Sequence, residues 1–181
     1  MNVLVFGGAG TGKTTLAREL AVALGWAHLD SDDFYWQKTD PPYQVKVVAE
    51  ERKQNMWDEF QRHANCVISG SMDSWGEQWK SACDLYVFLT LVPEVRMQRI
   101  IDRENNRYGD DLKTDSVVRR TSEDFLQWCR GYDDPNFLGQ CAARHENWIK
   151  ELKGEVLRLD GDLTLEERLQ LVMVRVLDCE A

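Results

Sequence analysis

Residues 7–14 read Gly-Gly-Ala-Gly-Thr-Gly-Lys-Thr and follow directly on the apolar run Val3-Leu4-Val5-Phe6. Gly7, Gly12, Lys13 and Thr14 fill the spacing G-x-x-x-x-G-K-[ST]. In such a run the glycines let the backbone turn tightly, so the N–H groups from Gly7, Gly8, Ala9, Gly10, Thr11 and Gly12 can point at one spot. A helix starting at Thr14-Thr15 adds the positive end of its dipole there. Lys13 is expected to reach the β- and γ-phosphates of a nucleoside triphosphate, with the Thr14 hydroxyl on Mg²⁺. The pattern predicts the triphosphate and leaves open what becomes of its γ-phosphate.

Chemistry at that phosphate also needs an acid near the metal, usually at the end of a strand beside the first. Val67-Ile68-Ser69-Gly70 ends without one, and so does the long apolar run at Thr90-Leu91. Among the first four predicted strands only the second ends in acid, at Asp30-Ser31-Asp32-Asp33. Asp30 is therefore the candidate for Mg²⁺, through water. Asp32 is the candidate for gripping an acceptor hydroxyl and taking its proton, and Asp33 is read as a helix cap or a solvated acid. Two carboxylates two apart on an extended segment project to the same side. A hydroxyl attacking a γ-phosphate needs positioning and charge neutralisation more than a strong base.

Arg96, Arg99 and Arg103 repeat at three and four residues and share one helical face, with Arg107 in the polar stretch that follows. Arg103 and Arg107 lie at the predicted junction of helix and loop. They are the candidates for closing over the phosphates, where guanidiniums would stabilise charge and exclude water. Arg120 is a candidate second clamp. The competing reading of these arginines is a solvated helix face paired with nearby acids. Past the aspartates, Phe34-Tyr35-Trp36 offers either a ring platform, through Tyr35, or packing for a small lobe. Arg52 is a candidate for an anion on the acceptor. Gly70 and Ser71, at the end of the third strand, allow a close backbone approach to it.

The elements that must position these residues alternate strand with helix. Strands are expected at Val3–Phe6, Trp26–Asp30, Cys66–Ser69, Leu85–Leu91 and Val156–Asp160. Helices are expected at Thr14–Leu24, Val45 to about His63, Pro93 to about Arg103, Ser116 to about Cys129, Cys141–Leu152 and, behind a Thr164/Glu167 capping box, up to about Leu177. Asn105–Asp115 reads as a mobile loop. The alternation argues for an α/β fold, a parallel sheet covered on both faces with its site at the strands' C-terminal ends.

The chain has 181 residues, which suits one domain. Its 31 acids against 22 bases leave a net charge of −9, which argues against a general nucleic-acid surface. Five cysteines at wide spacing, with no Cys-x-x-Cys, read as reduced thiols in a cytoplasmic protein. The three histidines are too scattered for a metal site, and no signal peptide or membrane span is visible.

With Gly7–Thr15, Leu29-Asp30-Ser31-Asp32, the arginines from Arg96 onward and Leu159-Asp160-Gly161-Asp162, the chain resembles the small P-loop kinases related to shikimate, gluconate and adenylate kinases. It is also similar to the adenylate-kinase-like topology-modulation proteins. The resemblance implies a P-loop NTPase three-layer sandwich whose five-stranded parallel sheet has the order 2-3-1-4-5. It implies one kinase domain over residues 1–181, with an acceptor-binding lobe at 34–63 and a lid at 104–116. ATP and Mg²⁺ are the implied cofactors, and Asp160 is expected in a loop whose backbone touches the adenine. The expected reaction moves the γ-phosphoryl group to a small-molecule hydroxyl, with nucleoside monophosphate kinase as the variant. Shikimate kinases carry a glycine run where this chain has Gly70-Ser71-Met72-Asp73, so shikimate itself fits poorly. A GTPase switch would use Asp73-Ser74-Trp75-Gly76 as D-x-x-G, but that aspartate lies well past the third strand and no Asn-Lys-x-Asp occurs. A regulatory or ring ATPase would show an apolar strand ending in Asp-Glu, and none does.

Overall fold

The first strand, β1 (Asn2–Gly7), is apolar on both faces, with Leu4 and Phe6 on one side and Val3 and Val5 on the other. A strand of this kind has to be covered twice. The computed structural model, which describes residues 1–180 with side chains through Asp178, covers it with helices on each face. The remaining strands are β2 (Ala27–Asp30), β3 (Cys66–Ser69), β4 (Leu85–Leu89) and β5 (Glu155–Leu159). All pair in parallel, in the order β2-β3-β1-β4-β5. The helices are α1 (Lys13–Leu24), α2 (Ser31–Tyr35), α3 (Ala49–Phe60), α4 (Pro93–Tyr108), α5 (Asp111–Thr114), α6 (Ser116–Arg130), α7 (Ala142–Ile149) and α8 (Leu165–Glu180).

Val3, Val5, Val67 and Val87 pack against Leu16 and Leu20 of α1 and Val172 and Val176 of α8. On the other face Leu4, Phe6, Ile68 and Phe88 meet Met56 and Phe60 of α3 and Trp148 of α7. The result is the three-layer P-loop sandwich. The Thr164/Glu167 capping box forms as expected, with Thr164 N and Oγ1 donating to Glu167 Oε2 and Glu167 N donating to Thr164 Oγ1. Cys66, Cys83, Cys129 and Cys141 are free and buried, and the Cys179 side chain lies outside the described residues. Among the described residues, no helix is long and apolar enough to cross a membrane.

Two expectations about local structure are corrected. The chain past Asp30 is not extended. Asp30 is the N-cap of α2, its Oδ1 accepting the Asp32 N–H at 3.0 Å, because an aspartate at a strand end satisfies an orphan helix donor. The stretch 105–115 is not a loop either. Helix α4 continues to Tyr108, and α5 follows after Gly109 and Asp110. The extension buries Glu104 and Tyr108, and Glu104 accepts hydrogen bonds from Arg107 Nη1 (3.1 Å) and from Ser122 Oγ of α6 (3.0 Å). Non-local partners hold a segment whose composition alone reads as loop.

Candidate functional site

β1 delivers the chain at Gly7, and residues 8–12 fold back over the N-terminus of α1. The Gly8 carbonyl closes this turn by accepting from Thr11 N (3.4 Å), Thr11 Oγ1 (2.9 Å) and Lys13 Nζ (2.8 Å). Gly10 has φ +83°, and a Cβ there would stand 2.6 Å from the Arg96 carbonyl oxygen, so the loop admits no larger residue without shifting. Gly12 caps α1 in the left-handed region. Beside the loop, Gly70 follows β3 with φ +133°, and a Cβ there would come 1.8 Å from Ser31 Oγ. That close approach brings the start of α2 up to the phosphate loop. Ser71 Oγ donates to the Gly7 carbonyl at 3.2 Å and joins the two.

The loop opens on a cavity of about 680 Å³. Ala9, Lys13, Thr14, Asp30, Asp32, Tyr35, Gly70, Ser71, Arg103 and Arg107 all line it. Residues expected from positions 9 to 107 of the sequence thus meet at one place. Gly7, Gly8, Gly10, Thr11, Gly12 and Thr15 do not line it: the glycines and Thr11 shape the loop's backbone, and the Thr15 side chain is exposed on α1.

Four of the candidate residues do not line this cavity. The Arg52 guanidinium stacks over the Tyr35 ring at 4.0 Å and donates to the Val47 carbonyl, supporting the cavity wall from behind. Asp160 accepts from Thr90 Oγ1 at 2.5 Å, just past the ends of β4 and β5. Arg120 is exposed, 3.9 Å from Asp124. Arg96 shares a helix face with Arg99 and Arg103 but not their surroundings. It is 1% exposed and lies beneath the phosphate loop, whereas Arg99 pairs with Asp162 and Arg103 faces the cavity. The solvated-face reading of Arg96 is therefore overturned.

The electrostatics follow from crowding. Burial pushes the Lys13 ammonium down to about 8, and Arg103 pushes in the same direction, while Asp32 and Asp30 oppose it. The Asp32 side chain is open to the cavity. Desolvation, then the Asp30 charge, lift its carboxyl above the ordinary range, while Lys13 and Arg103 pull it back. A lysine that sheds its proton more readily than usual and an aspartate that takes one up more readily therefore act on one another. Arg103 stands over the Phe125 ring at 5.5 Å and Arg107 over Tyr43 at 4.4 Å, so both guanidiniums are held by aromatic faces.

A charged lysine at this position would hold a phosphate and a neutral one would not. ATP affinity should accordingly be highest below about pH 8 and fall as pH rises through that value, since bound polyphosphate raises the lysine's pKa. Calorimetric titration between about pH 7 and 9.5 checks this, because phosphate groups with a second pKa of about 6 no longer titrate there. A flat affinity would remove Lys13 from the site.

The cavity also holds residues that the sequence did not announce. Tyr43, Trp75 and Trp128 join the expected Trp36 as aromatic wall, and Lys46 and Arg144 add cations. Arg144 of α7 forms an ion pair with Asp73, whose side chain is 4% exposed. The only local hint was Asp73 in its D-x-x-G run, and nothing nearby in sequence connects it to Arg144. For a metal, Thr14 and Asp30 share the cavity, and Asp30 Oδ2 is not used by the α2 cap. Among the described residues no cluster of three or more His, Cys, Asp or Glu could cage an ion. One hydroxyl and one carboxylate suit Mg²⁺, which keeps waters and takes its other ligands from phosphate.

Comparison with known proteins agrees with this geometry. Residues 3–124 match the family model described as AAA domain. The uncharacterized protein YqaC of Bacillus subtilis is 30% identical over 172 residues, 95% of each chain. A cytidylate kinase of Haloarcula marismortui is 30% identical over 136 residues, 68% of each. In fold, a shikimate kinase from Acinetobacter baumannii, solved with shikimate, superposes with a TM-score of 0.58 at 19% identity, covering 98% of this chain and 93% of that one. The matching family model, the curated relatives and the sheet order agree: the chain belongs to the P-loop family described as AAA domain and, within it, to the small P-loop kinase group.

Proposed function

We propose that the protein is an ATP-dependent phosphotransferase that moves the γ-phosphoryl group to a hydroxyl of a small molecule. One observation carries the proposal: Lys13, Thr14, Asp30, Asp32, Arg103 and Arg107 line a single cavity that extends well past the phosphate loop between aromatic walls. A switch or regulatory ATPase has no use for that extra room. Asp73, the D-x-x-G aspartate, is spent on Arg144 and is closed off from solvent.

In this reading residues 34–63 form the acceptor lobe and 104–116 the lid of one domain spanning 1–181. Thr14 and Asp30 would hold Mg²⁺, which when bound would neutralise charge on the phosphates. Asp32 accepts the acceptor's proton as its oxygen bonds to the γ-phosphorus and the bond to the β-phosphate oxygen breaks, so ADP and a phosphorylated acceptor leave. Lys13, Arg103 and Arg107 stabilise the charge spread over the transferring group and cost no reorganisation, being already placed.

A nucleoside monophosphate acceptor is the second reading. The acceptor lobe itself is rich in acids, but Arg107 and Arg144 reach the cavity from α4 and α7 and join Lys46 there. The two readings separate in one experiment: ADP formed from MgATP, measured alone and with panels of hydroxy acids, sugars and nucleoside monophosphates. An acceptor-dependent rise with one phosphorylated product per ADP is expected. ADP release that never exceeds slow hydrolysis across the panels would count against both.

A further inference from the structure

Arg168 of α8 is 3% exposed, and among the described residues no carboxylate lies within ion-pairing distance of it. Its Nη1 donates to the Thr11 carbonyl at 2.6 Å and its Nη2 to the Gly161 carbonyl at 3.0 Å, while its Nε has no partner. A Cβ on Gly12 would stand 3.4 Å from Nη1, so this guanidinium sits directly behind the turn into α1. A buried, unpaired charge is costly to keep. Burial does push the Arg168 guanidinium below its usual range, with Arg99 adding to the effect and Asp162 opposing it.

A second buried arginine acts on the loop's other side. Arg96 is 1% exposed, and its Nη1 reaches the Ala9 carbonyl at 3.4 Å. Its Nη2 bonds the Cys129 carbonyl and Asp133, and its plane lies 4.8 Å from the Tyr132 ring. The Ala9 and Thr11 carbonyls are thus drawn outward by guanidiniums that arrive from α4 and α8. A peptide whose carbonyl accepts from a cation has a more polarised N–H, and such chains of bonds strengthen one another. Arg96 has Asp133 as counter-ion. Arg168 has none.

We propose that Arg168 is a positioning residue for the triphosphate: from behind the loop it orients the Thr11 peptide, and the bound polyphosphate supplies the counter-charge that the protein withholds. This rests on the nucleotide-binding part of the proposed function and is independent of which acceptor is phosphorylated. The residue touches no substrate. It acts through the backbone N–H groups that do, so its loss weakens the phosphate end of the ligand and not the nucleoside end.

The test compares ATP with inorganic tripolyphosphate, each titrated calorimetrically into the wild-type protein and into Arg168→Gln and Arg168→Lys. Arg168→Gln should weaken both ligands by a similar factor, roughly tenfold or more, the scale of a lost charge-assisted bond. Arg168→Lys keeps the charge, loses the two-carbonyl fork, and should fall in between at about threefold. Turnover at saturating ATP should stay within about threefold of wild type in both, because the reacting groups are untouched. Unchanged affinities in the variants would overturn the proposal. So would a loss for ATP without a loss for tripolyphosphate, which would place Arg168 at the nucleoside end. A lower turnover with unchanged affinities and a lower melting temperature would reduce Arg168 to a packing residue. If the Gln variant does not fold, the Lys variant decides alone: wild-type affinity for both ligands refutes the proposal. Wild-type protein that binds neither ligand would refute it together with the nucleotide reading. Wild-type protein that binds both but phosphorylates nothing would refute only the kinase reading.

Discussion

Lys13→Ala should remove turnover almost entirely, with a loss in kcat/KM on the order of 10³ or more, the scale at which a preorganised group facing transition-state charge contributes. Lys13 is the cation at the centre of the site: its Nζ rests on the Gly8 carbonyl, and Asp32, Arg103 and Asp30 all bear on its charge. Alanine removes the charge and the tie to Gly8 together. A second consequence distinguishes this role from simple damage. Lys13 pulls the Asp32 carboxyl down, so without it that carboxyl should titrate still higher and shift the acid limb of any residual activity to higher pH. Steady-state kinetics across pH, with circular dichroism to verify the fold, measure both effects. Full activity in the alanine variant would end the assignment of the loop to a triphosphate.

The second large effect belongs to Asp32. Asp32→Asn should cut turnover by roughly 10²- to 10⁴-fold, the usual contribution of a placed general base. At neutral pH the affinity for ATP should stay within a few-fold, because asparagine preserves size and the phosphate loop is untouched. The charges are coupled, however. Asp32 is the largest influence holding the Lys13 ammonium up against burial. In the Asp32→Asn variant Lys13 should therefore lose its proton at a pH below about 8, and the alkaline weakening of ATP binding should begin earlier. The wild-type protein should lose the proposed activity with acid as the raised Asp32 carboxyl takes up a proton, and that limb should be missing from the residual activity of the Asp32→Asn variant. Unchanged turnover would move the base to another residue.

Much of this site was legible from residue order. The glycine loop is a local device: its strand, turn and helix are contiguous, and the backbone conformation it needs restricts the residues it can use. The strand ends were equally direct, since of the first four only the second carried acid, and both Asp30 and Asp32 face the cavity. They arrive there by a different route, through the Asp30 cap of α2 rather than along an extended segment. The same holds for Arg103 and Arg107, which line the cavity from within α4 and not from a loop beyond it.

The residues that could not be read share a cause. An arginine on a charged helix looks solvent-facing in a linear pattern, yet Arg96 and Arg168 are nearly inaccessible because β1, α1, α4 and α8 converge on the phosphate loop. Arg144 meets Asp73 from a distant part of the sequence, and Glu104 is buried only because α6 packs over it. Local sequence determined that a phosphate loop exists, that acids follow the second strand, and that strands alternate with helices. The tertiary structure decided which charges are shielded, which are paired and which face the cavity. Charge chemistry depends on dielectric surroundings and on neighbours within a few ångströms, and most of those neighbours come from other parts of the chain.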